Sequence, residues 1–231
     1  MLRVLRPVSR LRFLALLLAT TGFVLPSPSM AQAPVAAPKP PTSAVEAAAA
    51  TPEGRFIATL GDKAIAILAD KSINAEQRND QFRDMLRDSF DLMTIGRFVI
   101  GRSWNAAAPD QQQDYMNLFE KLVVKTYSDR FALYTGEGFR VRAVQPEGDL
   151  DFVVKSEITH PDGSAPTTVD WRVRTKNGKQ GIIDVVVEGV SMSVTQRQEY
   201  AAVIQRNGGN IGGLLDLMRQ RLQEPSTHGK G

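Results

Sequence analysis

The chain has 231 residues, 42% hydrophobic and 23% charged, a balance that fits a chain folding round an apolar core and neither a disordered polypeptide nor a polytopic membrane protein. Its formal charge of +3 does not mark a nucleic-acid binder: Arg3, Arg6, Arg10 and Arg12 sit in the first 31 residues with no acid, and beyond them 24 basic groups meet 25 acidic ones. Cysteine is absent and the two histidines, His160 and His228, stand apart, which removes disulfides, thiol catalysis, cysteine-containing zinc sites and a histidine-based triad.

In chain order, the arginines up to Arg12 and the apolar run Phe13 to Leu25 have the form of a secretory signal peptide, with cleavage predicted after Ala31. The run is too short for a membrane span, which needs about 20 residues. Residues 1–31 are therefore expected to be removed, placing the remainder in the periplasm if the source is a diderm bacterium. Residues 32–50, dominated by Ala and Pro, read as a flexible leader. The folded domain is expected over 51–223, followed by a disordered tail at 224–231.

Thr51-Pro52 predicts a helix start, with Phe56, Ile57, Leu60, Ala64 and Leu68 along one face. Asn74 and Gln77 have the spacing of a capping box and open a second helix, whose buried stripe is Phe82, Met85, Leu86 and Phe90. A short helix over 91–100 ends at Gly101. The longest begins at Pro109 and carries Tyr115, Leu118, Phe119, Leu122, Val123, Thr126 and Phe131 until Gly136 and Gly138.

The apolar period then changes to two. Phe139, Val141 and Ala143; Phe152, Val154, Ser156 and Ile158; Val169, Trp171 and Val173; and Ile183, Val185 and Val187 each mark the inner face of a strand. Asn177-Gly178 predicts a tight hairpin between the last two. Ser193 with Gln196 reads as a further helix start, and Asn210 as the cap of a final helix carrying Leu214, Leu215, Leu217, Met218 and Leu222. The expected class is α+β: a twisted antiparallel sheet of about four strands covered by N- and C-terminal helices. Patterning by itself does not separate a filled core from a lined cavity.

Polar machinery is sparse. Gly136-Glu137-Gly138 lacks the third glycine of a phosphate loop. Asp184 and Glu188, four strand residues apart, are separated by about 13 Å, too far for a glycosidase pair. Asp149 and Asp151 flank a turn, whose bland reading is solvation. No cofactor, no metal and no enzymatic activity is expected.

The runs Phe98-Val99-Ile100-Gly101-Arg102-Ser103-Trp104, Ala108-Pro109-Asp110-Gln111-Gln112, Thr126-Tyr127 and Asp184-Val185-Val186-Val187-Glu188-Gly189-Val190-Ser191-Met192 resemble the MlaC family. Members, also called toluene-tolerance or Ttg-type proteins, are periplasmic phospholipid carriers, and the likeness extends from about Phe56 to Leu222. The chain departs from the family at Gln180, usually tryptophan, and at Ile182-Ile183, where the family's pair ends in tyrosine.

The resemblance implies an apolar cavity that holds phospholipid acyl chains while lipid is shuttled between the membranes, maintaining outer-membrane asymmetry. It also implies two partners, an outer-membrane lipoprotein complex and an inner-membrane ABC transporter with an MCE-fold subunit. Two chains of about 16 methylenes, at about 0.8 kcal/mol per CH₂, face a cost on the order of 25 kcal/mol in water, which such a cavity removes. The expected lining is Phe152, Val154, Val169, Trp171, Val173, Ile183, Val185 and Val187 from the sheet, Tyr127 and Phe131 from the long helix, and Val190 and Met192 beyond the last strand.

Arg102 and Trp104 are expected to hold the short helix to the sheet. Arg140, Arg142, Arg172 and Arg174, on the outer side of the sheet, are candidate docking residues. A hopanoid or other sterol-like lipid is the alternative cargo. A periplasmic chaperone with an exposed apolar groove is the alternative class, and Tyr127 and Asp170 are the only seeds for a small enzyme.

Overall fold

The Thr51 hydroxyl accepts the Gly54 amide at 3.0 Å, so helix α2 (Pro52–Ala69) starts at the predicted cap. In the computed structural model the structure describes residues 42–131 and 134–224. The signal segment, residues 32–41 of the leader and residues 225–231 of the tail lie outside them.

The second half of the expected leader is not slack. Thr42–Ala50 is a helix, α1, lying against α2 and the first strand, with Ala48 buried. An alanine-rich run loses little side-chain entropy on becoming helical, and docking supplies the stabilisation that nine residues lack alone. Gly54 makes the docking possible, because a Cβ there would lie 2.0 Å from the Ala48 carbonyl oxygen.

Asn74 and Gln77 form the predicted capping box of α3 (Ala75–Ser89), and Asp91 caps α4 (Leu92–Ile100), which stops at Gly101 with φ 53°. A short unpredicted helix, α5 (Ser103–Ala106), precedes α6 (Pro109–Phe131). Trp104 stands edge-on to Tyr115 at 6.4 Å, with Arg97 over its indole at 5.3 Å. Trp104 therefore joins α4 and α5 to α6 rather than to the sheet.

The sheet is an antiparallel meander, β1 (Gly138–Pro146), β2 (Asp151–Thr159), β3 (Thr167–Lys176), β4 (Lys179–Val187) and the two-residue β5 (Val190–Ser191). Asn177 and Gly178 both have positive φ, 52° and 73°, as a tight hairpin between β3 and β4 requires. Helices α7 (Met192–Arg206) and α8 (Gly212–Gln223) follow. The cap of α7 is Ser191, two residues before the predicted start; the cap position of α8 is Ile211, which makes no side-chain cap bond, and the predicted cap Asn210 stands one residue earlier, where it accepts the Gly212 amide at 2.6 Å.

Two register shifts break the simple alternation. One lies between Val141 and Ala143, so Val144 rather than Ala143 packs inward beside Val141 and Phe139. In the other, Val173 faces Ile182 while Arg172 faces Asp184, leaving Ile183 as the extra residue. Ile182, at 0% exposure, thus takes the core position that strict alternation assigns to Ile183.

The apolar interior falls into two clusters. One joins Ile57, Leu60 and Ile67 of α2 and Phe82, Met85 and Leu86 of α3 to Val141, Val154, Val173 and Ile182 of the sheet. The other joins α4, α6, α7 and α8 through Val99, Tyr115, Phe119, Tyr200, Leu214 and Met218. Val123 of α6 touches both. On the outer face, Arg174 grips Asp151 through two bonds of 2.7 Å, Arg172 meets Glu147 at 2.8 Å and Arg142 meets Glu157 at 3.4 Å, while Arg140 is exposed.

Candidate functional site

The seam between the two clusters is not closed. A cavity of about 390 Å³ remains there, toward the lower end of the range of small-molecule sites, about 300–1,000 Å³. Helical spacing builds its walls: Leu92, Ile95 and Val99 lie on one face of α4, and Phe119, Leu122, Val123, Thr126 and Tyr127 line it from α6. Phe90, between α3 and α4, and Val185 of β4 complete the apolar lining. The Asp91 amide donates to the Ile182 carbonyl at 2.9 Å, tying the start of α4 to the sheet.

The remaining wall is the first half of α7: Met192, Ser193, Thr195, Gln196, Glu199 and Tyr200. Its position is set by Asp184, a buried carboxylate on β4. Asp184 accepts the Ser191 hydroxyl at 2.6 Å, the Ser193 amide at 3.1 Å and its neighbour Val185's amide at 2.9 Å. Ser191 in turn accepts the Val194 amide at 3.1 Å, capping α7. The Asp-Val-Val-Val-Glu-Gly-Val-Ser-Met run is therefore an anchor that fixes one wall of the cavity. Glu188 has a separate task at the following turn, where it accepts the Thr168 amide and the Thr168 hydroxyl.

Charge gathers at the end where α7, α8 and α6 meet. Lys125, Glu199, Arg221 and Glu224 line that end, with Glu199, Arg221 and Glu224 exposed. Tyr200 is 3% exposed and lines the cavity, and its hydroxyl hydrogen-bonds no other described residue. Burial pushes its pKa up to about 12; Arg221 opposes the rise and Glu199 adds to it. Tyr115, deeper in the same cluster, donates to the Gly96 carbonyl at 3.0 Å, and burial raises its pKa well above the ordinary phenol range.

Of the residues predicted to line a tunnel, Tyr127, Val185 and Met192 meet at this cavity. Val154 and Val173 are in the core under α2 and α3, and Val169 is buried with its carbonyl accepting the Ser156 hydroxyl at 2.8 Å. Trp171 is half-buried against Phe139, 6.2 Å away, and donates to Ser156 at 2.9 Å. Phe152, Ile183 and Val187 are half-buried elsewhere on the sheet, and Val190 is exposed. The side chain of Phe131 lies outside the described residues. Alternation identifies which residues face inward; it does not say that α2 and α3 fill one half of that face.

Sequence reasoning missed the α4 wall, Tyr200 and the charged mouth. Leu92, Ile95 and Val99 carried a usable signal, an apolar face on a helix that leads into the Gly-Arg-x-Trp motif. Arg102 is exposed and does not line the cavity. Asp170 and Asp151 do not line it either. No group of three or more His, Asp or Glu side chains is placed for a metal among the described residues, and no described helix is long and apolar enough to cross a membrane.

The profile of the MlaC protein family matches residues 58–220. The toluene tolerance protein ttg2D of Pseudomonas putida is 23% identical over 158 residues, covering 65% of this chain and 73% of its own. Among solved structures, a phospholipid-binding protein from Ralstonia solanacearum, determined in complex with a phospholipid, is similar with a TM-score of 0.66 at 24% identity, covering 73% of this chain and 95% of its own.

Proposed function

This chain belongs to the MlaC family, and from that premise we propose that it is a periplasmic carrier that takes a phospholipid's acyl portion into the cavity between α4, α6, α7 and β4 and leaves the headgroup at the charged mouth. The observation that carries the reading is the unfilled seam: two well-packed clusters flank a space lined by Leu92, Ile95, Val99, Phe119, Leu122 and Val185. An apolar chain there is removed from water at about 0.8 kcal/mol per methylene, and a bilayer offers it nearly the same environment, so uptake and release both stay accessible. The reading also accords with the phospholipid bound by the Ralstonia solanacearum protein.

Nothing in this task needs a catalyst. Of the predicted lining residues, Tyr127, Val185 and Met192 contact the chain directly. The carrier exchanges lipid with an outer-membrane lipoprotein complex and an inner-membrane ABC transporter with an MCE-fold subunit, and so maintains outer-membrane asymmetry. Arg142, Arg172 and Arg174 are already occupied by Glu157, Glu147 and Asp151, so Arg140 is the more available of the four sheet arginines for docking.

Native mass spectrometry of the exported chain, purified without detergent and then extracted for lipid analysis, tests the proposal. A stoichiometric adduct of phospholipid mass is the expected result, and a hopanoid-sized adduct would move the cargo to sterol-like lipids. An apo mass that persists after incubation with liposomes would overturn the carrier reading.

A further inference from the structure

Four ionisable side chains and one phenol converge where the cavity opens. Glu199 and Tyr200 are adjacent on α7, and Arg221 and Glu224 lie three residues apart at the end of α8, a spacing that puts both on one side of the chain; Lys125 approaches from α6. Arg221 and Glu224 form no ion pair among the described residues, and Glu199 accepts only the Gln196 amide, at 3.2 Å. The Tyr200 ring is packed in the core, 3% of the residue being exposed, and its hydroxyl, open to the cavity, has no hydrogen-bond partner among the described residues.

A phenol held by its buried ring, with its hydroxyl open to the cavity, can donate to a ligand atom that accepts a hydrogen bond in place of water. Arg221 beside Glu199 and Glu224 puts charges of both signs at one opening, which favours a ligand that carries both.

We propose that the mouth selects a zwitterionic headgroup, whose phosphodiester accepts hydrogen bonds from Arg221 and the Tyr200 hydroxyl and whose ammonium group faces Glu199 and Glu224. This selection rests on the carrier reading. A headgroup with a phosphodiester and no cation leaves both glutamates uncompensated beside an anion, and a free fatty acid has the same defect. The mouth is open to solvent, so each pairing is screened, and the preference is modest.

The test offers the exported chain vesicles holding equal amounts of phosphatidylethanolamine and phosphatidylglycerol with identical acyl chains, then quantifies the bound lipid by mass spectrometry. Wild type should enrich phosphatidylethanolamine roughly two- to five-fold, the range that screened charge pairs support. The double variant Glu199→Lys/Glu224→Lys should reverse the preference, and Arg221→Gln with Tyr200→Phe should lower the retention of both lipids. The three charged positions are exposed, so their replacement should leave the core intact, which circular dichroism checks. Equal uptake by wild type, or a ratio unchanged in the lysine variant, would overturn headgroup selection while leaving lipid binding in place. No uptake of either lipid by folded wild type would overturn the carrier reading itself.

Discussion

Asp184 shows how much one side chain organises. Two of its three hydrogen bonds, from the Ser191 hydroxyl and the Ser193 amide, hold the start of α7 to β4, and the anchored turn carries Met192 and Ser193 into the cavity wall. Asp184→Ala strips the Ser191 hydroxyl and the buried Ser193 amide of their acceptor, so it should cost about 2–4 kcal/mol in urea denaturation. Ser191→Ala, which removes the cap alone, should cost about 1 kcal/mol. The two tyrosines of the helical cluster give a second contrast. Tyr115→Phe removes the buried hydroxyl's bond to the Gly96 carbonyl and should cost about 1 kcal/mol, whereas Tyr200→Phe removes an unpartnered hydroxyl and should change stability by less than about 0.5 kcal/mol. Equal losses would contradict the assignment of Tyr200 to the ligand.

At the scale of elements, β2 and β3 are stitched on their outer face by Asp151 and Arg174, which stand directly opposite each other in the register. The hydrogen bonds and charge of Arg174 hold the Asp151 carboxyl below its ordinary range. A lowered carboxylate pKa contributes stability that is present above the unfolded value, about 3.9, and is lost as pH falls through the lower folded value. Since Arg174 is 39% exposed, screening keeps the contribution at about 1 kcal/mol or less. The stability difference between wild type and Asp151→Asn should therefore be constant from neutral pH down to about 5 and shrink below about 4, as measured by denaturation across that range. Helix starts were legible in the sequence because their chemistry is local: Thr51, Asn74 and Asp91 cap where they stand. Helix α1 was not legible, because its stability comes from contact with β1 and α2 and from the bare Cα of Gly54.

Across the whole molecule, the decisive distinction is between residues that fill and residues that line. Val154 and Val185 share an inward strand pattern, but Val154 is 0% exposed under α2 and α3, while Val185 borders the cavity. Val154→Asn buries an amide without partners and should cost about 3 kcal/mol or more, seen as a lowered melting temperature. Val185→Gln should keep the fold and lose co-purified lipid. A variant pair that behaved alike in both measurements would remove the seam cavity from the functional account.

Composition, the periods of 3.6 and 2, the caps and the Asn177-Gly178 turn were enough to determine an α+β chain with a meandering sheet and several flanking helices, because each depends on neighbours in sequence. The family was legible for the same reason, through short runs such as the one from Asp184 to Met192. Which inward residues touch one another was decided only in three dimensions. A single extra residue in β4 exchanges Ile183 for Ile182, and the packing of α2 and α3 closes half of the sheet's face while α4 and α7 leave the seam open. The charged mouth belongs to the same category: Lys125, Glu199, Arg221 and Glu224 come from three separate segments, and no local pattern brings them together. An apolar side chain has the same hydrophobic signature against a neighbour as against an empty space, so cavity and core separate only when the whole chain is packed.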